Sequence, residues 1–423
     1  MLDFDPFSTA ALADPYPVYA ELRSAAPVLW SDRFGAWVVT GYGHCHAAIS
    51  DMDTFAADFN RGGHRIQQSV TTMQMIDAPE HTAVRRLFTR AYRAQDFDAI
   101  AARAAALART RLRRLVLAPC FDFLDDVARP VALATACDLL GVDAPPLAEM
   151  TTVSMGIVGG MDAHMFPARA DAALAAKQQL GRILKQWASI GPGPGLIADA
   201  LHGAAVAGIA EQTVWDNASV FLLGTFTTTV AASANSMLAL LDNPRALDRT
   251  SGIADSGVDE LLRYDTAVQA ITRNCVRDTA LGQVPIKRGD FVMIMLGAAN
   301  RDPARFASPN ELIMDRSRNR HLSLGWGPHA CTGASVARIV VRALLTALLT
   351  IPLTPRAAGE PVRARKLTLR YPDRLPMTFA PAPAPPTFRP APVDPTAGSA
   401  LHAGETDCRE WHRDTAHQEG AAT

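Results

Sequence analysis

The residues from Glu211 to about Leu241 form the longest stretch of this chain whose pattern favours a helix. At a rise of 1.5 Å per residue this helix would run roughly 45 Å, enough to cross a whole domain. Such an element needs a large body of protein around it. A chain of 423 residues can supply that body as one large domain. We therefore predict a large domain built around a long central helix.

The rest of the pattern alternates helical stretches with short strand-like runs over residues 1–380. Alanine-, leucine- and arginine-rich stretches predict helices, and β-branched and aromatic runs predict strands. The predicted helices cover residues 14–23, 99–117, 169–187, 257–264 and 333–349, and the predicted strands cover 36–40, 268–276 and 291–296. The fold class that follows is mainly α with a smaller β portion.

The composition changes after about Phe379, where proline becomes frequent and large apolar residues become scarce. Such a segment buries too little surface to offset its ordering entropy. We therefore predict a proline-rich disordered tail over residues 381–423. Cys408, His412 and His417 lie in this tail, but three scattered candidates without a fourth ligand are weak evidence for a metal site.

The charge and the cysteines restrict the setting of the protein. The formal net charge of -1 gives no general electrostatic argument for binding nucleic acid or an anionic membrane. The N-terminus lacks the basic and apolar pattern of a signal peptide, and no apolar run approaches the roughly 20 residues that span a bilayer. The scattered cysteines form no CxxC pair. We expect a cytoplasmic protein with no membrane or nucleic-acid partner.

The most informative segment is the glycine-rich loop of residues 321–334, which contains Cys331. Glycines let the backbone turn tightly and approach a flat ligand closely. Backbone amides and the positive end of the helix that follows would stabilise a thiolate over a thiol. On local chemistry alone, Cys331 is an iron ligand, a buried small residue, or the nucleophile of a Cys/His pair with His329.

This loop resembles the haem-binding loop of the bacterial, soluble type of cytochrome P450, written FGxGxHxCxGxxLAR. The matching residues are Gly325, Gly327, His329, Cys331, Gly333, Ala337 and Arg338. Leu324 and Val336 depart from the pattern. The resemblance implies a bound haem b, with Cys331 as the iron ligand, Gly325 and Gly333 in the cofactor-binding loop, and His329 near a haem propionate. The change to Leu324 puts the tuning of the redox potential in doubt, but not the ligation itself.

Two further groups of residues match the same family. Glu260 and Arg263 stand at i and i+3 and resemble its ExxR helix, and Arg316 matches the third member of a buried Glu-Arg-Arg network. Three more residues match positions that bind the haem propionates in this family; they are His81, Arg85 and Arg273. Together with His329, they would supply four cationic donors for the two propionate carboxylates.

The long helix departs from the family where an [AG]Gx[DE]T[TS] signature is usual. One register sets Gly224, Thr225, Thr227 and Thr228 against this pattern, and a register one residue earlier pairs Phe226 with the acid and Thr227 with the alcohol. In both registers the acid is missing. We predict Thr228 as the catalytic hydroxyl and Thr227 as a relay without useful acidity. The alternative is that these threonines only bond back to helix carbonyls.

The resemblance implies a monooxygenase that activates O2 to hydroxylate or oxidatively demethylate a small organic molecule. Its electrons would come from a separate ferredoxin-type partner with its reductase. We expect this partner to dock on the surface nearest the Cys331 loop, where Arg338 and Arg342 lie, although these two side chains can equally face the fold or solvent. The missing acid leaves phenolic coupling or another specialised oxidation as an alternative, and a haem-binding sensor without turnover is a third class. Loop 55–75, with Arg61, His64 and Arg65, could contact substrate, as could residues 155–165 and 266–271.

Overall fold

The structure is a computed structural model that describes residues 5–65, 72–247, 253–363 and 365–381. The helices are α1 (Thr9–Ala13), α2 (Tyr16–Ala25), α3 (Tyr42–Ser50), α4 (Glu80–Arg93), α5 (Phe97–Leu115), α6 (Arg129–Leu140), α7 (Leu147–Met161), α8 (Ala170–Ile190), α9 (Leu196–Ala207), α10 (Glu211–Leu223), α11 (Thr229–Asp242), α12 (Pro244–Leu247), α13 (Asp255–Tyr264), α14 (Leu296–Ala299) and α15 (Ala334–Leu349). The strands are β1 (Val28–Ser31), β2 (Ala36–Val39), β3 (Phe55–Ala56), β4 (Phe121–Asp122), β5 (Ala270–Cys275), β6 (Thr279–Leu281), β7 (Val284–Ile286), β8 (Phe291–Met295), β9 (Leu353–Ala357) and β10 (Pro376–Pro381).

The predicted long helix is present, with one change of helical type in its middle. Helix α10 runs into a π-helical segment, Gly224–Thr228, which continues directly into α11. A π-helical turn shifts the backbone hydrogen bonds from i→i−4 to i→i−5, and such turns are frequent at functional sites. The helix prediction is therefore confirmed in extent, while the π-helical segment was not predicted.

The long helix lies in the middle of the main hydrophobic core. Residues 229–240 of α11 are all buried, which requires neighbours on every side of the helix. Those neighbours include α6, α13 and α15. Phe226, in the π-helical segment, is 1% exposed and belongs to this core. The centre of the helix is consequently held rigidly by close packing.

The β portion is small and consists of three separate sheets in the described residues. The main sheet has the strand order β1-β2-β8-β5-β3, in which β2 and β8 are parallel and the other pairs are antiparallel. The remaining strands form a sheet of order β4-β10-β9 and the pair β6-β7. Strand β5 pairs Arg273 with Val292 of β8, which fixes the position of that arginine. The mainly α fold with a smaller β portion is confirmed.

The predicted tail, residues 381–423, lies outside the described residues except for Pro381, which ends β10. Cys408, His412 and His417 are among the residues outside the description. In the described part of the chain, no helix is both long enough and apolar enough to cross a membrane.

Candidate active site

The cysteine loop folds back on itself directly before α15. The amide of Cys331 donates to the carbonyl oxygen of Leu324 over 2.7 Å. Gly325 and Gly327 have φ angles of +67° and +68°, a conformation that residues with a side chain rarely adopt. Gly333 caps the N-terminus of α15, so the helix begins just after the cysteine, as predicted. The two glycines therefore allow the tight loop that positions Cys331.

The thiol of Cys331 has exposed surface even though protein packs closely around it. This packing raises the pKa of the Cys331 thiol, while a hydrogen bond from the Gly333 amide and the charges of Arg85 and Arg338 lower it. Burial is the largest of these effects, so the loop alone leaves the pKa raised. A coordinated metal cation deprotonates a thiol outright. The loop therefore suits a cysteine that becomes a thiolate when a metal cation binds its sulfur.

Two predicted propionate-binding residues, His81 and His329, lie against each other. Their rings stack with centroids 4.1 Å apart, and the Nε2 atom of His329 is 3.6 Å from the Oδ1 atom of Asp77. Burial, together with the charges of His329 and Arg85, lowers the pKa of His81 to about 4. The Nε2 atom of His81 is buried and has no hydrogen-bond partner among the described residues.

The other two predicted propionate-binding residues are Arg85 and Arg273. Arg85 turns toward the cysteine loop, where it donates to the Thr332 hydroxyl at 2.5 Å and to the Ala330 carbonyl at 2.6 Å. Arg273 is 9% exposed and donates through Nη1 to the Thr272 carbonyl at 3.0 Å. Burial lowers the pKa of Arg273, and its Nε atom has no partner in the described part of the chain.

These observations test whether the residues fit a cofactor that carries carboxylates. A buried polar nitrogen without a hydrogen-bond partner is costly, and an acceptor beside it, such as a carboxylate, removes that cost. The partnerless nitrogens of His81 and Arg273 therefore fit a ligand with anionic groups. Asp77 interacts electrostatically with His81, Arg273 and His329, and it was not recognised as a member of this cluster from the sequence.

The predicted Glu-Arg-Arg network is confirmed, and its Glu260–Arg263 pair is fully buried. Glu260 and Arg263 are both 0% exposed and share two hydrogen bonds of 2.8 Å. The Nε atom of Arg316 donates to both oxygens of Glu260 at 3.0 Å. Asn319 and the amide of Ile313 donate to the same carboxylate, a contribution that the sequence did not reveal. The network fixes the segment that precedes the cysteine loop.

One stripe of the long helix is partly accessible although its surroundings are buried. The accessible positions recur every three or four residues, which places them on one helical face. They are Asp216, Ser219, Val220, Leu223, Gly224 and Thr228. Met73 links this helix to the cysteine loop, because its amide donates to Asn217 at 2.8 Å and its sulfur lies 3.9 Å from the Thr332 hydroxyl.

The π-helical segment separates the two predicted catalytic threonines. Thr228 lies on the accessible stripe and donates its hydroxyl to the carbonyl oxygen of Gly224. Thr227 is 5% exposed, and its hydroxyl is 2.8 Å from the hydroxyl of Ser154 on α7. Thr229 donates to the carbonyl of Thr225, so back-bonding to the helix occurs here as well. No sequence pattern indicated that Ser154 would be the partner of Thr227.

The two arginines expected near a docking partner are paired within the fold. Arg338 donates to Asp259 at 2.7 Å, and Arg342 forms an ion pair with Asp255. A groove of about 490 Å³ instead lies along α4, beside Pro328. Its exposed cations are Arg86, Arg90 and Arg93. The sequence interpretation did not single out these residues.

The segments predicted to approach substrate have mixed environments. Arg61 pairs with Asp77 at 3.0 Å, and His64 contacts the Gly289 carbonyl at 2.7 Å, so both have partners within the fold. Arg65 and Met155 are exposed, whereas Thr266 is fully buried and accepts a hydrogen bond from Asn300. Residues 66–71 of the predicted covering loop lie outside the described residues.

Known proteins resemble this chain in sequence and in fold. The family model described as Cytochrome P450 matches residues 253–350. The chain is 28% identical to cytochrome P450 monooxygenase PikC of Streptomyces venezuelae, over 82% of this chain and 86% of the relative. It is 29% identical to 6-deoxyerythronolide B hydroxylase of Saccharopolyspora erythraea, over 86% and 96%. The fold matches CYP109E1 of Bacillus megaterium with a TM-score of 0.78 and 22% identity, covering 88% of this chain and 99% of that one.

Together, fold and relatives define a haem-dependent oxidoreductase whose cofactor is haem b. The chain belongs to the cytochrome P450 family, as a monooxygenase of the bacterial type. Bacterial enzymes of this family typically take electrons from a ferredoxin and its reductase and act on small molecules.

Proposed function

We propose that this enzyme hydroxylates or oxidatively demethylates a small organic molecule, with Cys331 as the axial ligand of the haem iron. The observation that carries the proposal is the exposed thiol of Cys331 beside the partnerless buried nitrogens of His81 and Arg273. A thiol, two buried nitrogen atoms without hydrogen-bond partners and an accessible helix face together suit a flat, carboxylate-bearing, iron-containing ligand. Each turnover would insert one oxygen atom of O2 into substrate and release the other as water, consuming two electrons and two protons.

The four cationic side chains have distinct roles in this proposal. Arg273 and His81 supply the buried nitrogens that lack partners, so they gain most from a propionate. Arg85 would exchange its present contacts with Ala330 and Thr332 for a carboxylate, which is a stronger acceptor. His329 is held near Asp77 and completes the set. Gly325 and Gly333 contribute through the backbone, by turning the loop and by capping α15.

When bound, haem supplies the iron at which dioxygen is activated. The protein must then deliver protons to the reacting oxygen and keep bulk water away. We assign Thr228 the hydroxyl that positions a proton donor, because it lies on the accessible stripe of the long helix. Its bond to Gly224 orients the hydroxyl within the π-helical segment. This placement supports the register that sets Thr228, and not Thr227, in the alcohol position.

We propose that the ferredoxin-type partner docks on the cationic face of α4, and not at Arg338 and Arg342. Arg86, Arg90 and Arg93 project from α4 into solvent, while the apolar side of this helix is buried. Exposed cations on one helix face attract an acidic partner and steer its approach. Arg338 and Arg342 are already neutralised by Asp259 and Asp255.

We also propose domain limits and a cellular setting for the protein. We assign residues 1–380 to the haem domain and residues 381–423 to a tail, because proline becomes frequent and large apolar residues become scarce after Phe379. Cys45, Cys137 and Cys275 are free thiols, which supports a reducing, cytoplasmic setting.

Product analysis tests the proposed reaction. The holoenzyme would be supplied with a ferredoxin, its reductase, NADPH and a panel of compounds chosen first by ligand-induced Soret shifts. The panel would include 6-deoxyerythronolide B and testosterone, which the names of two similar proteins mention. A product one oxygen heavier, or lacking a methyl group, supports the proposal. Coupled dimers without added oxygen would support phenolic coupling, which the absence of an acid at residues 224–229 favours. Reduction without turnover of any ligand would support a sensor.

A further inference from the structure

A pair of buried hydroxyl groups lies at the π-helical segment, where the long helix lacks the acid that is usual in the family. The Oγ1 atom of Thr227 and the Oγ atom of Ser154 are 2.8 Å apart, and both residues are 5% exposed. They come from different helices, since Ser154 lies on α7. A hydroxyl both donates and accepts, so two in contact can pass a proton along without becoming charged at rest.

A small cavity opens next to this pair. Its volume is about 10 Å³, close to the roughly 10–15 Å³ that one water molecule needs. Polar side chains line it together with Met155, Phe226 and Val230; they are Arg129, Thr151, Ser154, Thr227 and Tyr371. A buried water makes two to four hydrogen bonds, and this lining offers enough partners. Burial raises the pKa of Tyr371 to about 12, so its phenol stays neutral at pH 7.

An ion pair links one residue that lines the cavity, Arg129, to the protein surface. The guanidinium of Arg129 is 7% exposed and pairs with Asp125, whose side chain is 50% exposed. Arg129 also donates to the carbonyl of Asp373 at 3.3 Å, which holds it in place. A carboxylate at the surface exchanges protons with water, and the guanidinium orients the molecules beside it. Polar groups thus extend from the surface to the π-helical segment.

We propose that Ser154 and Thr227, with one water molecule in this cavity, form the proton route that replaces the missing acid of the long helix. The inference rests on the proposed monooxygenase function and names the residues that supply its protons. Thr227 and Ser154 are relay residues, whereas Thr228 remains the hydroxyl nearest the reaction.

The transfer leaves every relay group unchanged. A proton enters from solvent beside Asp125 and reaches the cavity water, which passes one to Ser154. Ser154 then gives its own proton to Thr227. Because adjacent positions of a helix do not face each other, a second water molecule would carry the proton released by Thr227 to Thr228 on the accessible face. Each hydroxyl accepts one proton and releases one, so no group needs an acidic pKa. The protons that enter are the two consumed as one oxygen atom of O2 leaves as water.

The test uses the holoenzyme with a hydroxylated substrate and a matched set of variants. Thr227→Val and Ser154→Ala remove one hydroxyl each, and Thr227→Ser restores it. Thr152→Val is the control, because Thr152 is exposed on α7, the helix of Ser154, and its hydroxyl donates to the Ala148 carbonyl of its own helix. The measurements are the product formed per NADPH consumed, the peroxide released, and the solvent deuterium isotope effect on product formation.

We expect Thr227→Val and Ser154→Ala to lower product per NADPH by about tenfold or more, since positioned proton transfer typically contributes about 10²–10⁴-fold. Peroxide should rise, the solvent isotope effect should change, and Thr227→Ser should restore wild-type values. Substrate-induced Soret shifts should stay unchanged in all variants. The inference would be overturned if Thr227→Val and Ser154→Ala both kept the wild-type product per NADPH and isotope effect. It would also be overturned if Thr227→Ser failed to restore the product per NADPH that Thr227→Val loses.

A second measurement is independent of turnover. A high-resolution crystal structure should place one ordered water between Ser154 and Arg129, and Ser154→Ala should displace or disorder it. A dry or closed cavity would contradict the route. The two proposals fail differently, because a wild-type enzyme that yields no oxygenated product overturns the monooxygenase function itself. A wild-type enzyme that forms oxygenated product, with Ser154 and Thr227 variants that behave like it, overturns only the proposed proton route.

Discussion

Glu260 and Arg263 share two hydrogen bonds of 2.8 Å inside the protein, where neither residue is exposed to solvent. Arg316 completes the arrangement by donating to both oxygens of the same carboxylate. Arg263 also donates to the carbonyls of Asn300, Pro309 and Glu311, so the network joins α13 to the segment leading to the cysteine loop. Its function is to hold that segment in one position.

Glu260→Gln should strongly destabilise the protein, because it leaves two buried guanidinium groups without a negative charge. Breaking a buried ion pair typically costs about 3–5 kcal/mol. The free energy of unfolding of the holoenzyme, measured by urea denaturation, should fall by this amount. Asp278→Asn is the control, since its ion pair with Lys287 is exposed, and it should leave stability unchanged. Equal effects of the two substitutions would contradict the assigned role of the network.

His81→Ala and Arg273→Met should weaken haem retention without unfolding the protein. A hydrogen bond to a charged group contributes about 1.5–3 kcal/mol, which corresponds to roughly ten- to hundredfold faster haem loss. The measurement is the rate of haem transfer to an excess of apomyoglobin. Thr82→Ala, at an exposed neighbouring position, should leave the rate unchanged. If the rate of haem transfer were unchanged in both His81→Ala and Arg273→Met, neither residue would bind the cofactor.

Thr228→Ala should divert electrons from product to peroxide, because the hydroxyl on the accessible helix face is lost. Product per NADPH should fall about tenfold or more, as expected for a lost proton-positioning group. Thr228→Ser should retain coupling. The matched control is Thr229→Val, since this hydroxyl is buried and bonds back to the Thr225 carbonyl. A larger effect at Thr229 than at Thr228 would show that the alcohol position was assigned to the wrong residue.

Arg86→Glu combined with Arg90→Glu should raise the KM for an acidic ferredoxin at low salt. The difference from wild type should shrink as ionic strength rises, because about 0.1 M salt screens charges beyond roughly 10 Å. Reduction by dithionite should be unaffected, since it needs no protein partner. Arg182→Glu, at an exposed position on α8, is the control with no expected change. A KM that is insensitive to the α4 charges would place docking elsewhere.

Local features of the site could be predicted from the sequence, because short-range chemistry determines them. The glycines around Cys331 predicted a tight turn followed by a helix, and the i, i+3 spacing of Glu260 and Arg263 predicted a shared face. The haem-binding role of the loop came from its resemblance to a family and not from spacing alone. The mainly α fold followed from helical periodicity over long stretches.

Partners distant in the chain could not be predicted in this way. Ser154 and Thr227 are 73 positions apart, and Arg338 and Asp259 are 79 apart, so only the packing of helices brings each pair together. The sequence therefore left open whether Arg338 faces solvent or the fold, and in the structure its charge is neutralised by Asp259. The π-helical turn at Gly224–Thr228 also escaped prediction, since threonines and one glycine fit an ordinary helix as well.

The ferrous carbonyl spectrum tests the central assignment, that Cys331 is the iron ligand. The reduced wild-type holoenzyme with carbon monoxide should show the strongly red-shifted Soret band that a thiolate ligand produces. Cys331→Ser and Cys331→His should bind haem but lose this band, while Cys275→Ser, which replaces a buried thiol outside the loop, should keep it. A red-shifted band that persists in both Cys331 variants, or that is absent from the wild type, would contradict the assignment.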